Sequence, residues 1–336
     1  MKTISLFSLT IYPYGLALAV SAFFCFLLMQ HRSRLKAGSV SWFALFAVPL
    51  GLLGGRLGYF LVSLTWFMDR GVGTFFRLNE GGYMLYGVMA GLVLAAWLTG
   101  RVTRQPAPAV LDEAAAPFAL FTALARAAEF FSGTGLGDYV DEWFDPMLER
   151  TSFPMEDPSF FQRFPFAVQD RYGFWCFSVF LLEALAALVI FILLLRVSVR
   201  RAGTKSLLFL VLYASLQTFL ESLRIDLELR WGFVKVNQLL ALPALLIVFF
   251  CCLFRSKDRK AALRSLWPSL AGMLAMCGVV MLMEFALEKK IPFLTWMRMD
   301  LCWAVMGLAS VCMGVIGWKM VMKNDARFEP DAAVVK

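Results

Sequence analysis

Arg126 and Glu129 lie three residues apart inside Ala114–Gly133, a helix-length segment that is otherwise almost wholly apolar. On a helix that spacing puts both on one face. A charge inside a bilayer costs about 2.5–3.5 kcal/mol even on lenient insertion scales, so such residues face protein or water, as a structural ion pair or a functional group. Other apolar stretches carry matching groups. Tyr213, Gln217, Glu221 and Arg224 are offset by four, four and three positions and align on one helix face. Arg56 sits among four glycines in a second apolar stretch, and Glu183 is the one carboxylate of another. A guanidinium fork binds phosphate oxygens two at a time and stays charged in poor solvent, while nearby carboxylates orient it or take protons. If the segments bundle, Arg56, Arg126, Glu129, Glu183, Gln217, Glu221 and Arg224 can converge on one wet cavity, with all but Glu183 and Arg56 in its outer half. That inventory suits an enzyme acting on a phospholipid. It could also line the path of a transporter.

The segments that must position these groups are membrane spans. Hydrophobic residues make up 60% of the 336 and charged ones 17%, with 33 phenylalanines, and the mean hydropathy is +0.71. Repeated apolar runs of about 20 residues satisfy their backbone in lipid only as helices, so the chain reads as an all-α, polytopic membrane protein. The formal charge of +8 comes from short basic clusters between the runs, where topology signals belong, which argues against a nucleic-acid partner. Seven cysteines lie within apolar runs without CxxC spacing, and the one histidine, His31, stands in a basic loop. Metal and serine-triad chemistry are therefore not expected.

Nine spans are expected, with the N-terminus outside and the C-terminus inside, because Lys and Arg are more numerous in the loops so placed. The first runs from Tyr14 to Met29 and puts Tyr14 at head-group level. The second, Trp42 to Met68, carries Gly51, Gly54, Gly55 and Gly58, whose overlapping GxxxG spacings let a neighbouring backbone come close. The third ends near Gly100 and pairs Gly87 with Gly91, one residue beyond Tyr86. The fourth is Ala114–Gly133. Residues 134–172 turn polar, acidic and aromatic and are read as a small outside head or a substrate-gating segment. The fifth span covers Phe174 to Leu195, the sixth Leu207 to Leu223, and the seventh follows Asn237-Gln238 to Phe254. Two further runs, Leu270–Leu287 and Leu301–Met320, form a hairpin. The domain reading is thus a seven-span core over 1–254, a hairpin over 255–321 and a disordered inside tail over 322–336.

The order of these pieces resembles the prolipoprotein diacylglyceryl transferase family over about Tyr12 to Phe254. The matching pieces are Tyr14-Gly15-Leu16, Gly54-Gly55-Arg56-Leu57-Gly58-Tyr59, Glu80-Gly81-Gly82 with Tyr86-Gly87, Ala125-Arg126 with Glu129-Phe130 and Gly133, Phe180 to Leu185 around Glu183, Tyr213 through Glu221 to Arg224, and Asn237-Gln238-Leu239. The resemblance implies transfer of the diacylglyceryl group of phosphatidylglycerol to the lipobox cysteine of a preprolipoprotein, in a bacterial plasma (inner) membrane and without metal or organic cofactor. On that basis Arg126, Glu129, Glu221 and Tyr86 are the expected catalytic residues. Tyr14, Arg56, Glu183, Gln217, Arg224 and Gln238 are the expected substrate-binding residues. The chain departs from the family pattern where Tyr86 replaces a histidine, Glu129 an asparagine, Gln217 an arginine, and Ala125 and Ala128 two glycines; the C-terminal hairpin lies outside the seven-span plan. A catalytically silent lipid-binding relative and a transporter are the alternatives.

Overall fold

The computed structural model describes residues 4–6, 9–77, 81–140, 163–225, 230–231 and 234–327. Nine helices among these residues form a bundle: α1 (Pro13–Arg32), α2 (Ser39–Val62), α4 (Leu85–Thr103), α5 (Ala107–Ser132), α6 (Val179–Arg196), α7 (Thr204–Leu220), α8 (Val236–Phe254), α9 (Arg259–Leu287) and α10 (Met299–Ala326). A short α3 (Leu64–Arg70) follows α2. Eight of the nine are long and apolar enough to cross a membrane, and α7, at 17 residues, is apolar but slightly shorter. Among the described residues strand is confined to three two-stranded antiparallel hairpins: β1 (Ile4–Leu6) with β2 (Leu9–Ile11), β3 (Ala167–Gln169) with β4 (Trp175–Phe177), and β5 (Arg230–Trp231) with β6 (Val234–Lys235). The all-α, multi-pass membrane class therefore holds. The chain end carrying Tyr14 is called outer below, following the charge bias of the loops.

Several boundaries differ from those read in the sequence. The second span breaks at Ser63, where the helical hydrogen-bond run closes on Tyr59 and α3 begins. The fourth starts at Ala107, seven residues early, because Pro108 in the first turn needs no N–H partner. The hairpin begins at Arg259, where the Asp258 carboxylate accepts from the Lys260 and Ala261 amides at 2.9 and 3.1 Å. At its other end α10 runs on through Ala326, into residues read as tail, and Asp325 and Asn324 are buried there. Asp325 accepts from the Arg200 and Arg201 amides, both at 2.9 Å, and from Thr204 Oγ1 at 2.9 Å, so the helix end is tied to the α6–α7 turn. Residues 328–336, and 141–162 of the head, lie outside the described residues.

Packing follows the small-residue stripes. A Cβ on Gly87 would meet the Gly54 carbonyl oxygen, one on Gly54 would meet that of Gly87, and one on Gly91 would meet that of Leu50. Helices α2 and α4 thus touch backbone to backbone, as the GxxxG spacings predict. By contrast α1 packs on α5, and α1 and α2 contact each other sparsely. A second region, α5 to α10, shares one core around Leu208, Leu245, Met273 and Met313. Between the α1–α5 and α2–α4 pairs the bundle stays open.

Candidate functional site

That opening is a cavity of about 2390 Å³ walled by α1, α2, α4 and α5. It far exceeds the roughly 300–1,000 Å³ typical of small-ligand pockets. Apolar residues of the inner ends, among them Met29, Val40, Phe43 and Ala114, line its floor. Toward the outer end the lining becomes polar: Tyr14, Tyr86, Arg126, Glu129, Arg224 and Asn237 all reach it.

Each of these side chains is placed by a local feature of the chain. The last turns of α5 carry Arg126 and Glu129, and Gly133 ends the helix in the left-handed conformation, at φ 68°. Gly135, at φ 74°, lies where a Cβ would collide with the Glu129 carboxylate and with Phe180, so the turn closes over that carboxylate. Arg224 leaves the end of α7 in an isolated bridge with Gly137, and the Ile225 amide donates to the Leu136 carbonyl at 3.0 Å. Glu183 stands only one turn from the outer start of α6, nearer the others than its place in the expected span suggested.

Two arginines and three carboxylates make one buried network. Arg126 Nη1 lies 2.6 Å from Glu129 Oε1 and 3.3 Å from Glu183 Oε2. Arg224 Nη2 lies 3.2 Å from Glu129 Oε2, and its Nη1 is 3.0 Å from Glu183 Oε2. Glu129 and Glu183 therefore each bridge both guanidiniums. Arg126 Nη2 also donates to the Tyr213 hydroxyl at 3.4 Å. Behind this layer Gln217 Nε2 donates to Glu183 Oε1 at 3.4 Å and, in a short bond, to Glu221 Oε2, while Asn237 Nδ2 donates to Glu221 Oε1 at 3.0 Å. Removing one partner of such a buried pair costs about 3–5 kcal/mol, so the network fixes its own geometry.

The expected site residues thus fall into three groups. Arg126, Glu129, Arg224, Tyr14 and Tyr86 border the cavity, and Tyr14 is within the electrostatic reach of the first three. The Tyr86 hydroxyl is buried, with no hydrogen-bond partner among the described residues, and its ring meets that of Tyr213 edge-on at 6.1 Å. Glu183, Gln217 and Glu221 sit behind this wall and hold it. Arg56 and Gln238 are elsewhere. Arg56 donates to the carbonyls of Phe75 (3.0 Å), Thr74 (2.8 Å), Gly82 (3.2 Å), Arg77 (3.3 Å) and Gly81, and so fastens the outer segment after α3. Gln238 Nε2 donates to the Thr218 carbonyl at 2.9 Å and to Glu284 Oε1 at 2.5 Å, turned away from the head-group end expected for it. Burial pushes the phenol of Tyr83, beside Arg56, above its ordinary range, with the guanidinium pulling the other way.

Sequence reasoning missed Lys235. Its buried ammonium donates to the carbonyls of Glu221, Ser222 (3.3 Å) and Arg224, closing the end of α7 next to the network. The available signal was a lysine two residues before an Asn-Gln pair at the start of an apolar span.

The fold and the network define a multi-pass membrane protein that buries arginine–carboxylate pairs at the polar end of a lipid-sized cavity. A family model described as prolipoprotein diacylglyceryl transferase matches residues 2–254, and the chain belongs to that family. Similar curated proteins include the phosphatidylglycerol–prolipoprotein diacylglyceryl transferase of Clostridium botulinum (strain Langeland / NCTC 10281 / Type F), 25% identical over 262 residues, which are 75% of this chain and 96% of the relative. The protein of that name from Listeria welshimeri serovar 6b is 25% identical over 256 residues, 74% of this chain and 87% of its own. The family match ends at the last residue of α8, so the hairpin lies outside it.

Proposed function

We propose that this protein transfers the diacylglyceryl group of phosphatidylglycerol to the cysteine thiol of a preprolipoprotein lipobox, in the plasma membrane of a bacterium. The observation that carries the proposal is that Arg126 and Arg224 border one lipid-sized cavity with the Glu129 carboxylate between them. The glycerol backbone and acyl chains lie along the apolar walls, entering past the sparse α1–α2 contact. The phosphate then takes the place that the Glu129 oxygens hold between the two guanidiniums.

Glu129 becomes available as its partners turn to the phosphate. Among the three network carboxylates it is the one that borders the cavity, which makes it the base for the thiol proton. The thiolate attacks the glycerol carbon that carries the phosphate; the S–C bond forms, the C–O bond breaks, and the electron pair leaves with glycerol 1-phosphate. Arg126 and Arg224 stabilise the charge developing on the departing phosphate. Tyr86 offers its unpartnered hydroxyl to the glycerol or phosphate oxygens, and Tyr14 lines the head-group end. Glu183, Gln217 and Glu221 orient the arginines, and no metal or organic cofactor takes part.

The test is transfer of labelled diacylglycerol from phosphatidylglycerol to a lipobox peptide by the purified protein in detergent. Product that disappears in Arg126→Ala is expected. A folded protein that binds phosphatidylglycerol without making product would instead be a silent lipid-binding relative.

A further inference from the structure

The hairpin α9–α10 lies beyond the residues the family model matches, yet near its outer turn it sends a carboxylate into the core. Glu284 is 9% exposed, one turn from the outer end of α9. A buried carboxylate at membrane depth is costly and marks a role. Its Oε1 accepts from Gln238 Nε2, whose other acceptor is the Thr218 carbonyl. With the amide nitrogen so committed, Gln238 Oε1 is turned to the Lys235 backbone N–H at 3.4 Å, in the box that starts α8. Lys235 in turn grips the carbonyls of Glu221 and Arg224, and its neighbour Asn237 holds the Glu221 carboxylate. The other helix of the hairpin reaches the same corner, since Ser222 Oγ donates to Met306 Sδ at 3.8 Å.

We infer that Glu284 is a positioning residue for the transferase site, acting through Gln238 and Lys235 on the α7–α8 corner that presents Arg224. The inference rests on the proposed function. The hairpin is then a brace for the reaction and not an appendage: without the Glu284 acceptor, Gln238 is free to turn, and the corner that holds Arg224 loosens.

The experiment uses the full chain in phosphatidylglycerol-containing nanodiscs, with the labelled transfer assay and labelled phosphatidylglycerol binding. Glu284→Met keeps the side-chain volume but leaves a buried Gln238 N–H without its acceptor, so a purely structural role for the link predicts a folded variant with a lower melting temperature and wild-type activity. A positioning role predicts a folded protein whose kcat/KM also falls, by up to about 100-fold, as expected of a misplaced reacting group. Glu284→Gln retains a carbonyl acceptor for Gln238 and is expected to recover most of the loss. The double variant Glu284→Met with Gln238→Ala is expected to be no slower than the slower single variant, because both break one link. Wild-type kcat/KM in the folded Glu284→Met variant, or losses that add in the double variant, would overturn the inference. An inactive wild type sinks the transferase reading alone, and the link is then read from a weaker phosphatidylglycerol affinity in Glu284→Met. Neither turnover nor lipid binding in the wild type overturns both.

Discussion

Replacing Glu129 by Gln separates its two proposed tasks. In the resting site the carboxylate lies 2.6 Å from Arg126 and 3.2 Å from Arg224. At an effective dielectric of about 20 those contacts carry Coulomb energies of about 6 and 5 kcal/mol, most of which offsets the desolvation of the charges. Breaking a buried pair costs about 3–5 kcal/mol. The glutamine carbonyl still accepts from one guanidinium, so the low end, about 3 kcal/mol, is expected as a lower melting temperature. Loss of a general base removes about 10²–10⁴ in rate, so kcat falls by at least about 100-fold. Lipid affinity should move the other way, because the phosphate no longer competes with an ionised carboxylate for the two forks. The decisive pattern is a less stable protein that binds phosphatidylglycerol as tightly as the wild type or more so and barely turns over. It is read from melting in detergent, lipid binding and initial rates of peptide modification. A kcat within threefold of the wild type would remove Glu129 as the base, and weaker lipid binding would refute its place as the phosphate's stand-in.

Three further substitutions test the rest of the site and its frame. Tyr86→Phe removes a buried hydroxyl that has no partner among the described residues; transfer is expected to fall about 10-fold while stability holds or rises, since an orphaned buried polar group costs about 1–3 kcal/mol, and unchanged transfer would make Tyr86 a packing residue. Arg56→Lys cannot reproduce a fork that donates to five carbonyls, so limited proteolysis should cut the segment after α3 faster, with a smaller loss of transfer than in Arg126→Ala. Gly87→Ala drives a methyl into the Gly54 carbonyl, 3.1 Å from Gly55 Cα; no rotamer relieves a backbone contact, and a loss of about 1–3 kcal/mol should appear in the melting temperature.

Much of this arrangement was legible because the bilayer makes polar residues conspicuous. Arg126, Glu129 and the stripe from Tyr213 to Arg224 stand out in apolar helices, and helical periodicity alone puts each set on one face. The glycine stripes likewise announced a close backbone contact at each of α2 and α4, though not that the two would meet each other. What the sequence could not carry was partner choice across elements. Arg56 is as intramembrane as Arg126, but its donors are spent on backbone carbonyls, groups every residue has and no motif marks. Lys235, Asp325 and Asp112 cap helix ends from distant segments; Asp112 accepts from the Gly203 and Ser206 amides at 2.7 and 2.9 Å. In the sequence each reads as an ordinary loop or helix-end charge. Gln238 was misplaced for the same reason, because its partner Glu284 belongs to a hairpin that the family pattern does not contain.

Gln217, where the family resemblance sets an arginine, bears most directly on whether the site can still hold a phosphate. Its amide donates toward Glu183 and Glu221, and it stands behind the cavity wall, so an arginine here would first meet two carboxylates. In this chain one of them, Glu183, is bridged by Arg126 and Arg224, and the other, Glu221, has an oxygen on each of two amides, those of Gln217 and Asn237. The cation given up at position 217 is thus replaced in its structural task by Asn237, an amide at the start of α8. Arg126 and Arg224 are the two cations of the buried network, both facing the cavity, and neither depends on a charge at position 217 to stay there. The departure at Gln217 therefore weakens the support of the proposed phosphate site more than the site itself, and on the inference drawn above the burden passes to the α7–α8 corner that Lys235 and Glu284 hold.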